Sequence, residues 1–143
     1  QIKMGPINKE EWIERNYEVY GIKSEHIRDI YGFNESSTGF GGHWSDKHKD
    51  FVMHCPPSSR ILVRDPKTLE PIKKGGTGLI EVISPYAVKG YVGLAILGDD
   101  LVKLLGDNRS TCPECGYKGA HFIILGRSKT APGRSCASLL KWT

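Results

Sequence analysis

The chain has 143 residues, 38% hydrophobic and 25% charged, with 20 Lys and Arg against 16 Asp and Glu for a formal net charge of +4. That length fits one domain able to bury a core. The small net charge makes no electrostatic footprint for nucleic acid, no apolar run is long enough to span a bilayer, and the opening QIKMGPINKEEW has no apolar centre of a secretory signal. A cytoplasmic protein is expected.

Residues 8 to 20, NKEEWIERNYEVY, read as a helix. Asn8 can cap it, with Glu11 three residues later at capping-box spacing. Ile13, Tyr17 and Tyr20 recur at i, i+4 and i+7 with Trp12 beside them, and Gly21 supplies a stop. HIRDIY, residues 26 to 31, reads as a short strand. From Gly32 to His54 the sequence turns polar and glycine-rich, GFNESSTGFGGHWSDKHKDFVMH, and reads as one long loop. Loops of that length are usually functional or disordered.

The remainder is predicted to be β. RILVRD (60–65), GLIEVIS (78–84), GYVGLAIL (90–97), DLVKLLG (100–106) and HFIILGR (121–127) are five strand candidates separated by Gly and Pro turns. Such spacing predicts an antiparallel sheet or a small barrel. The GGTG at 75–78 reads as a hairpin turn, because no Lys-Ser/Thr follows to make a phosphate loop. The tail from Ser128 to Thr143 reads as flexible. The fold class is therefore α+β: an N-terminal helix and short strand over 1–35, an antiparallel β-rich subdomain, a distorted barrel, over 36–127, and a tail over 128–143.

Four cysteines, Cys55, Cys112, Cys115 and Cys136, stand in a chain with no secretory signal, so metal binding or catalysis is favoured over disulfides. Cys112 and Cys115 form a C-x-x-C knuckle, CPECGY, whose Pro113 and Gly116 suit a tight turn aiming both sulfurs at one point. A structural zinc takes four Cys or His ligands. The expected partners are His48 and His54, five residues apart in HKDFVMH, with Cys55 and His43 as substitutes. His26 and His121 are expected to stand in or beside strands with no ligand role. Four protein ligands would leave no open position for chemistry, so the zinc would be structural, stapling the long loop to a turn some sixty residues later. A redox reading of the knuckle lacks the helix start that such motifs need. Cys136 is a candidate nucleophile, since Arg134 nearby favours its thiolate.

Three further motifs follow one another in order. Tyr31-Gly32-Phe33-Asn34-Glu35 follows a strand, AILGDDLVKLL spans 95–105, and ILGRSK spans 124–129. Together they resemble the Tyr-Gly-x-Thr-Glu, Thr-Gly-Asp and hinge Gly-Arg motifs of adenylate-forming enzymes. PINKEEWIERNYEVYGIKSEHIRDIYG, the HCPP at 54–57, VRDPKTLEPIKKGGTGLIEVIS and LGRSKTAPGRSCAS resemble corresponding segments of the LuxE-type acyl-protein synthetases, relatives of the phenylacetate–CoA ligases. The resemblance extends from about residue 6 to residue 138.

It implies an ATP-dependent ligase that activates a carboxylic acid, fatty or aryl, as an acyl-adenylate and passes the acyl group to a thiol. Tyr31 would offer its ring to adenine, and Gly32 would let backbone approach the nucleotide. Asn34 stands where Thr is usual beside the phosphates. Glu35 would hold magnesium, a cation that prefers oxygen ligands. Asp100, with Asp99 as its alternative, would accept the ribose hydroxyls, and Arg127 would donate to ribose or phosphate. Lys129 would mark the hinge. Cys136 would take the acyl group as a thioester and present it to a reductase partner. The zinc set also resembles that of related ligases, with His48 where they commonly carry Cys. The phosphate loop and the C-terminal domain of such enzymes are not in the sequence, as expected of a portion of a longer synthetase.

Plainer readings stand beside these. Tyr31 could be a core aromatic, Glu35 a solvated acid, Asp99-Asp100 a turn between strands, Arg127 the partner of a surface acid and Cys136 an ordinary thiol. A phenylacetate–CoA ligase-like enzyme, with coenzyme A as acceptor, is the second reading. A zinc-stapled binding module without chemistry is the third.

Overall fold

The computed structural model describes residues 8–33, 36, 38–85 and 94–128. Helix α1, Lys9–Tyr20, is capped by Asn8, whose side-chain oxygen accepts from the Glu10 N–H at 3.0 Å. Glu11 does not close a capping box; it pairs with Arg15 one turn on at 2.6 Å. Gly21 ends the helix in the left-handed conformation (φ 68°), its N–H on the Tyr17 carbonyl. Of the predicted apolar stripe only Ile13 is buried, while Tyr17 and Tyr20 stay exposed. A 3₁₀ turn, Ser24–His26, holds exposed His26 and leads into β1, Arg28–Tyr31.

The predicted long loop is in fact mostly a hairpin. Strands β2 (Phe40–Ser45) and β3 (Asp50–His54) pair antiparallel around a turn at 46–49. Gly-Gly reads as a loop signal, yet Gly42 lies in the strand because of packing. A Cβ there would meet Met53 Sδ at 2.6 Å.

β4 (Arg60–Arg64), β5 (Thr77–Ile83) and β7 (His121–Arg127) stand within a residue of expectation. The expected third and fourth strands differ: 95–106 is one strand, β6, and Asp99-Asp100 lies inside it, not in a turn. Residues 86–93 are outside the description.

The seven strands among the described residues form one antiparallel sheet in the order β1-β2-β3-β7-β6-β5-β4. The sheet curls. Tyr31 on edge strand β1 reaches Asp100 on β6, and Thr38 ahead of β2 bonds Ser59 ahead of β4 at 3.0 Å, both buried. The concave face encloses the main core, with Phe40 and Phe122 edge to face at 5.4 Å beside Met53, Cys55, Val63, Ile80, Val82 and Val102.

Strand alternation puts the neighbours of these residues on the other face, where Val52, Ile123 and Cys112 make a second, smaller cluster. The edge strand β4 is protected at Ile61, whose N–H and C=O are both taken by the Asn108 amide at 3.2 and 2.8 Å. A blocked edge of this kind disfavours pairing with another chain.

Candidate functional site

The convex face carries the first site. In the β2–β3 register Gly41 stands opposite His54 and His43 opposite Val52, so both histidines project from one face as diagonal neighbours. Their rings stack with centroids 5.1 Å apart, and His43 Nδ1 lies 2.9 Å from His54 Nε2.

The knuckle comes up beside them. Cys112 N–H donates to Tyr117 O and Gly116 N–H to Cys112 O, a tight loop that needs Gly116 at φ 74°. Cys115 Sγ then lies 3.4 Å from His54 Nε2. One donor atom from each of His43, His54, Cys112 and Cys115 falls within 4.8 Å of the others. A tetrahedral zinc, with bonds of about 2.05 Å to nitrogen and 2.3 Å to sulfur, separates its donors by about 3.3–3.8 Å. The four residues fit such an ion.

The residues gathered here differ from the expected ligand set at one place. His48 sits in the turn between β2 and β3, with Nε2 3.8 Å from Glu114 Oε1, and His43 takes its position in the cluster. The expectation of His48 comes from taking 32–54 as a loop, where five-residue spacing suggests a pair. Once the segment is a hairpin, alternation selects His43. Cys55 faces the opposite way, into the main core, where burial pushes its thiol up to about 11. His121 opens β7, buried, with Nδ1 3.1 Å from the Gly119 carbonyl.

Burial lowers the basicity of both clustered histidines. His43 is shifted down and His54 falls to about 4, the latter helped by the neighbouring imidazoles of His43 and His121. Both are therefore neutral at physiological pH, the form that ligates. Two residues that the sequence did not single out complete the surroundings. Tyr117 lays its ring 4.8 Å from His54 and donates its hydroxyl to Cys55 O, and Glu114 faces His43 and His48.

A second cluster lies where β1, β6 and β7 meet. Tyr31 donates its hydroxyl to Asp100 Oδ2 at 2.6 Å, and its ring packs among Phe33, Phe40 and Phe122. Asp100 stands opposite Arg127 in the β6–β7 register. Arg127 turns its guanidinium to Asp99 instead, at 3.1 Å, and both are well exposed. Tyr31, Asp99, Asp100 and Arg127 are thus gathered within one short stretch of three strands, with exposed Gly32 following β1. Asn34, Glu35, Lys129 and Cys136 lie outside the described residues.

A match to the family described as acyl-protein synthetase, LuxE, extends over residues 3–142. The chain belongs to the LuxE acyl-protein synthetase family. Solved structures with the same fold include apo MatB from Rhodopseudomonas palustris, with a TM-score of 0.58 and 22% identity over 88% of this chain. Two ATP-bound RpMatB–BxBclM chimeras follow, B3 with a TM-score of 0.54 at 22% identity and B1 with 0.52 at 21%, each over 87% of this chain. In all three, this LuxE-family chain spans only 24% of the other chain's length. No match to a curated protein is found. Among the described residues, no helix is long and apolar enough to cross a membrane.

Proposed function

We propose that this chain supplies the nucleotide-facing strands of an ATP-dependent ligase. The ligase activates a carboxylic acid as its acyl-adenylate and transfers the acyl group to a protein thiol. The observation that carries this reading is the Tyr31–Asp100 hydrogen bond at 2.6 Å, which seats the Tyr-Gly segment against the Gly-Asp-Asp strand and beside Arg127, in a chain of the LuxE family.

In this reading the carboxylates at Asp99 and Asp100 accept the ribose hydroxyls. Tyr31 occupies Asp100 Oδ2 and leaves Oδ1 for a ligand, while exposed Asp99 is free to turn from Arg127. Released from that exposed ion pair, the Arg127 guanidinium donates to ribose or phosphate oxygens, at little cost because such surface pairs are weak. Gly32 keeps side-chain bulk away from the nucleotide, and Glu35 holds magnesium. Cys136 is the acyl acceptor, since a thiolate divides a difficult acyl transfer into two easier steps. Buried Cys55, held as a thiol, does not compete.

His43, His54, Cys112 and Cys115 would hold a zinc ion. With four protein ligands it would supply no reactive position and would act as a crosslink between the β2–β3 hairpin and the turn ahead of β7.

Incubating the full-length protein with ATP and a labelled carboxylic acid tests the reading. Label retained on the protein, and lost in Cys136→Ser, is expected. Label that appears only with coenzyme A would replace the acyl-protein synthetase by a CoA ligase of the phenylacetate type. Absence of any ATP binding in the full-length protein would leave only a zinc-stapled binding module.

A further inference from the structure

Two nitrogens in the histidine pair are buried and without a hydrogen-bond partner among the described residues: His43 Nε2 and His54 Nδ1. Leaving a buried polar atom unpaired costs about 1–3 kcal/mol, so each calls for a partner in the working protein. For His43 the ring's other nitrogen, Nδ1, faces His54 Nε2, which itself lies 3.4 Å from Cys115 Sγ. A neutral imidazole that ligates through Nδ1 carries its proton on Nε2 and needs an acceptor there.

Glu114 offers one. It stands between Cys112 and Cys115 in the knuckle, so the turn that delivers the sulfurs also delivers a carboxylate. Its Oε1 accepts from the Ser45 hydroxyl at 2.9 Å, which anchors the side chain. Its Oε2 lies 3.7 Å from His43 Nε2. A movement of about 0.8 Å would bring the pair to ordinary hydrogen-bond distance. His48 approaches only Oε1, at 3.8 Å, and its backbone N–H donates to the same Ser45 hydroxyl. Ser45 and His48 thus hold one oxygen of the carboxylate and leave the other to His43.

We infer that Glu114 is a positioning residue for a metal centre. Its Oε2 accepts the His43 Nε2–H and so fixes the tautomer and ring orientation that present Nδ1 to the ion. The inference rests on the reading of His43, His54, Cys112 and Cys115 as a metal site. A carboxylate behind a ligating histidine typically changes metal affinity about 10–100-fold when removed.

The test is zinc affinity of the full-length protein by competition with a chromophoric chelator, for wild type, Glu114→Gln and Glu114→Ala. Glu114→Ala should weaken zinc binding about 10–100-fold, and Glu114→Gln, which keeps an acceptor oxygen, should weaken it less. Nitrogen-15 NMR of the zinc-loaded wild type adds a readout that needs no variant: His43 should be the Nε2–H tautomer with a slowly exchanging ring proton. A wild-type affinity in Glu114→Ala overturns the role of Glu114 alone, whereas a His43 protonated at Nδ1 in the zinc-loaded protein overturns its ligation through Nδ1 and the role of Glu114 with it. A wild type that binds no zinc overturns the metal site and this role with it. If Glu114→Ala does not fold, the zinc affinity of Glu114→Gln and the exchange of the His43 Nε2 proton in the zinc-loaded wild type decide: wild-type affinity in the first, or fast exchange in the second, overturns the role of Glu114.

Discussion

Tyr31 and Asp100 lie on strands separated by three others in the sheet order, yet their side chains are hydrogen-bonded at 2.6 Å. The bond spans the hollow of the curled sheet and closes it over Phe40 and Phe122. It therefore belongs both to the fold and to the proposed nucleotide site. Burial, then the hydrogen bond and charge of Asp100, push the Tyr31 phenol well above its ordinary value of 10.0.

Tyr31→Phe keeps the ring contacts and removes the bond, leaving a half-buried carboxylate short of a donor. The expected loss is about 1–2 kcal/mol in urea unfolding. The pH dependence has a definite sign. Because the folded protein holds this proton more tightly than the unfolded chain, Tyr31 adds stability that is complete below the unfolded value of 10.0 and declines as pH rises beyond it. Unfolding midpoints measured above pH 10 should fall less steeply in Tyr31→Phe than in wild type; equal slopes would show that the phenol proton is not retained on folding.

Metal content separates the two candidate histidines. Zinc is expected to co-purify with the wild type, to be lost in His43→Ala and to be retained in His48→Ala, which alters only the turn. Mass spectrometry of metals on both variants decides, and the reverse result would restore the five-residue spacing as the ligand pattern. Acid should also release the ion. Burial raises the Cys115 thiol and lowers His43 and His54, so binding requires thiol protons to leave and protonation at low pH competes with the metal. The metal-free chain has its own acid limb. His54, held at about 4 when folded against an ordinary 6.5, contributes stability that is present above 6.5 and lost as pH falls towards 4.

The sequence placed the cysteine knuckle and the later strands well because each carries local signals, Gly-bounded turns and β-branched runs. What it misplaced was decided by contacts far along the chain. Gly41-Gly42 looks like loop until Met53 is known to fill the space a side chain would take. Asp99-Asp100 looks like a turn until β5 and β7 flank it on both sides. His43 looks like an outlier until the hairpin register sets it on the face of His54. The helix erred the other way: its periodicity is real, but Tyr17 and Tyr20 of that stripe are exposed. Arg127 proves to pair with an exposed acid, as its plainer reading held, while standing beside the residues of the proposed nucleotide site.

The two adjacent glycines of β2 make a controlled comparison. Gly42→Ala drives a Cβ to within 2.6 Å of the fully buried Met53 Sδ and 3.3 Å of the Val52 carbonyl. Overpacking of this kind costs about 1–3 kcal/mol. Gly41→Ala meets nothing within 4 Å and has no left-handed backbone to strain, so it should be neutral or stabilising by up to about 1 kcal/mol. Thermal unfolding should show a lowered midpoint for Gly42→Ala and an unchanged or raised one for Gly41→Ala, and Gly42→Ala combined with Met53→Ala should cost less than the two single changes added together. Similar shifts for both glycines would remove packing as the reason for Gly42.

Asn108 tests how the open edge of the sheet is held. Its amide accepts from Ile61 N–H and donates to Ile61 C=O, standing in for a neighbouring strand at that one position of β4. Asn108→Ala removes both bonds, for an expected loss of about 1–3 kcal/mol. Asn108→Asp keeps an acceptor for the N–H and sets a carboxylate against the Ile61 carbonyl, so it should recover no more than part of that loss. Native-state hydrogen exchange gives the local readout. The Ile61 amide should exchange faster in Asn108→Ala, and the Val82 amide of the opposing strand should change less. Uniform acceleration across β4 and β5 would instead mean that Asn108 stabilises the whole sheet rather than its edge.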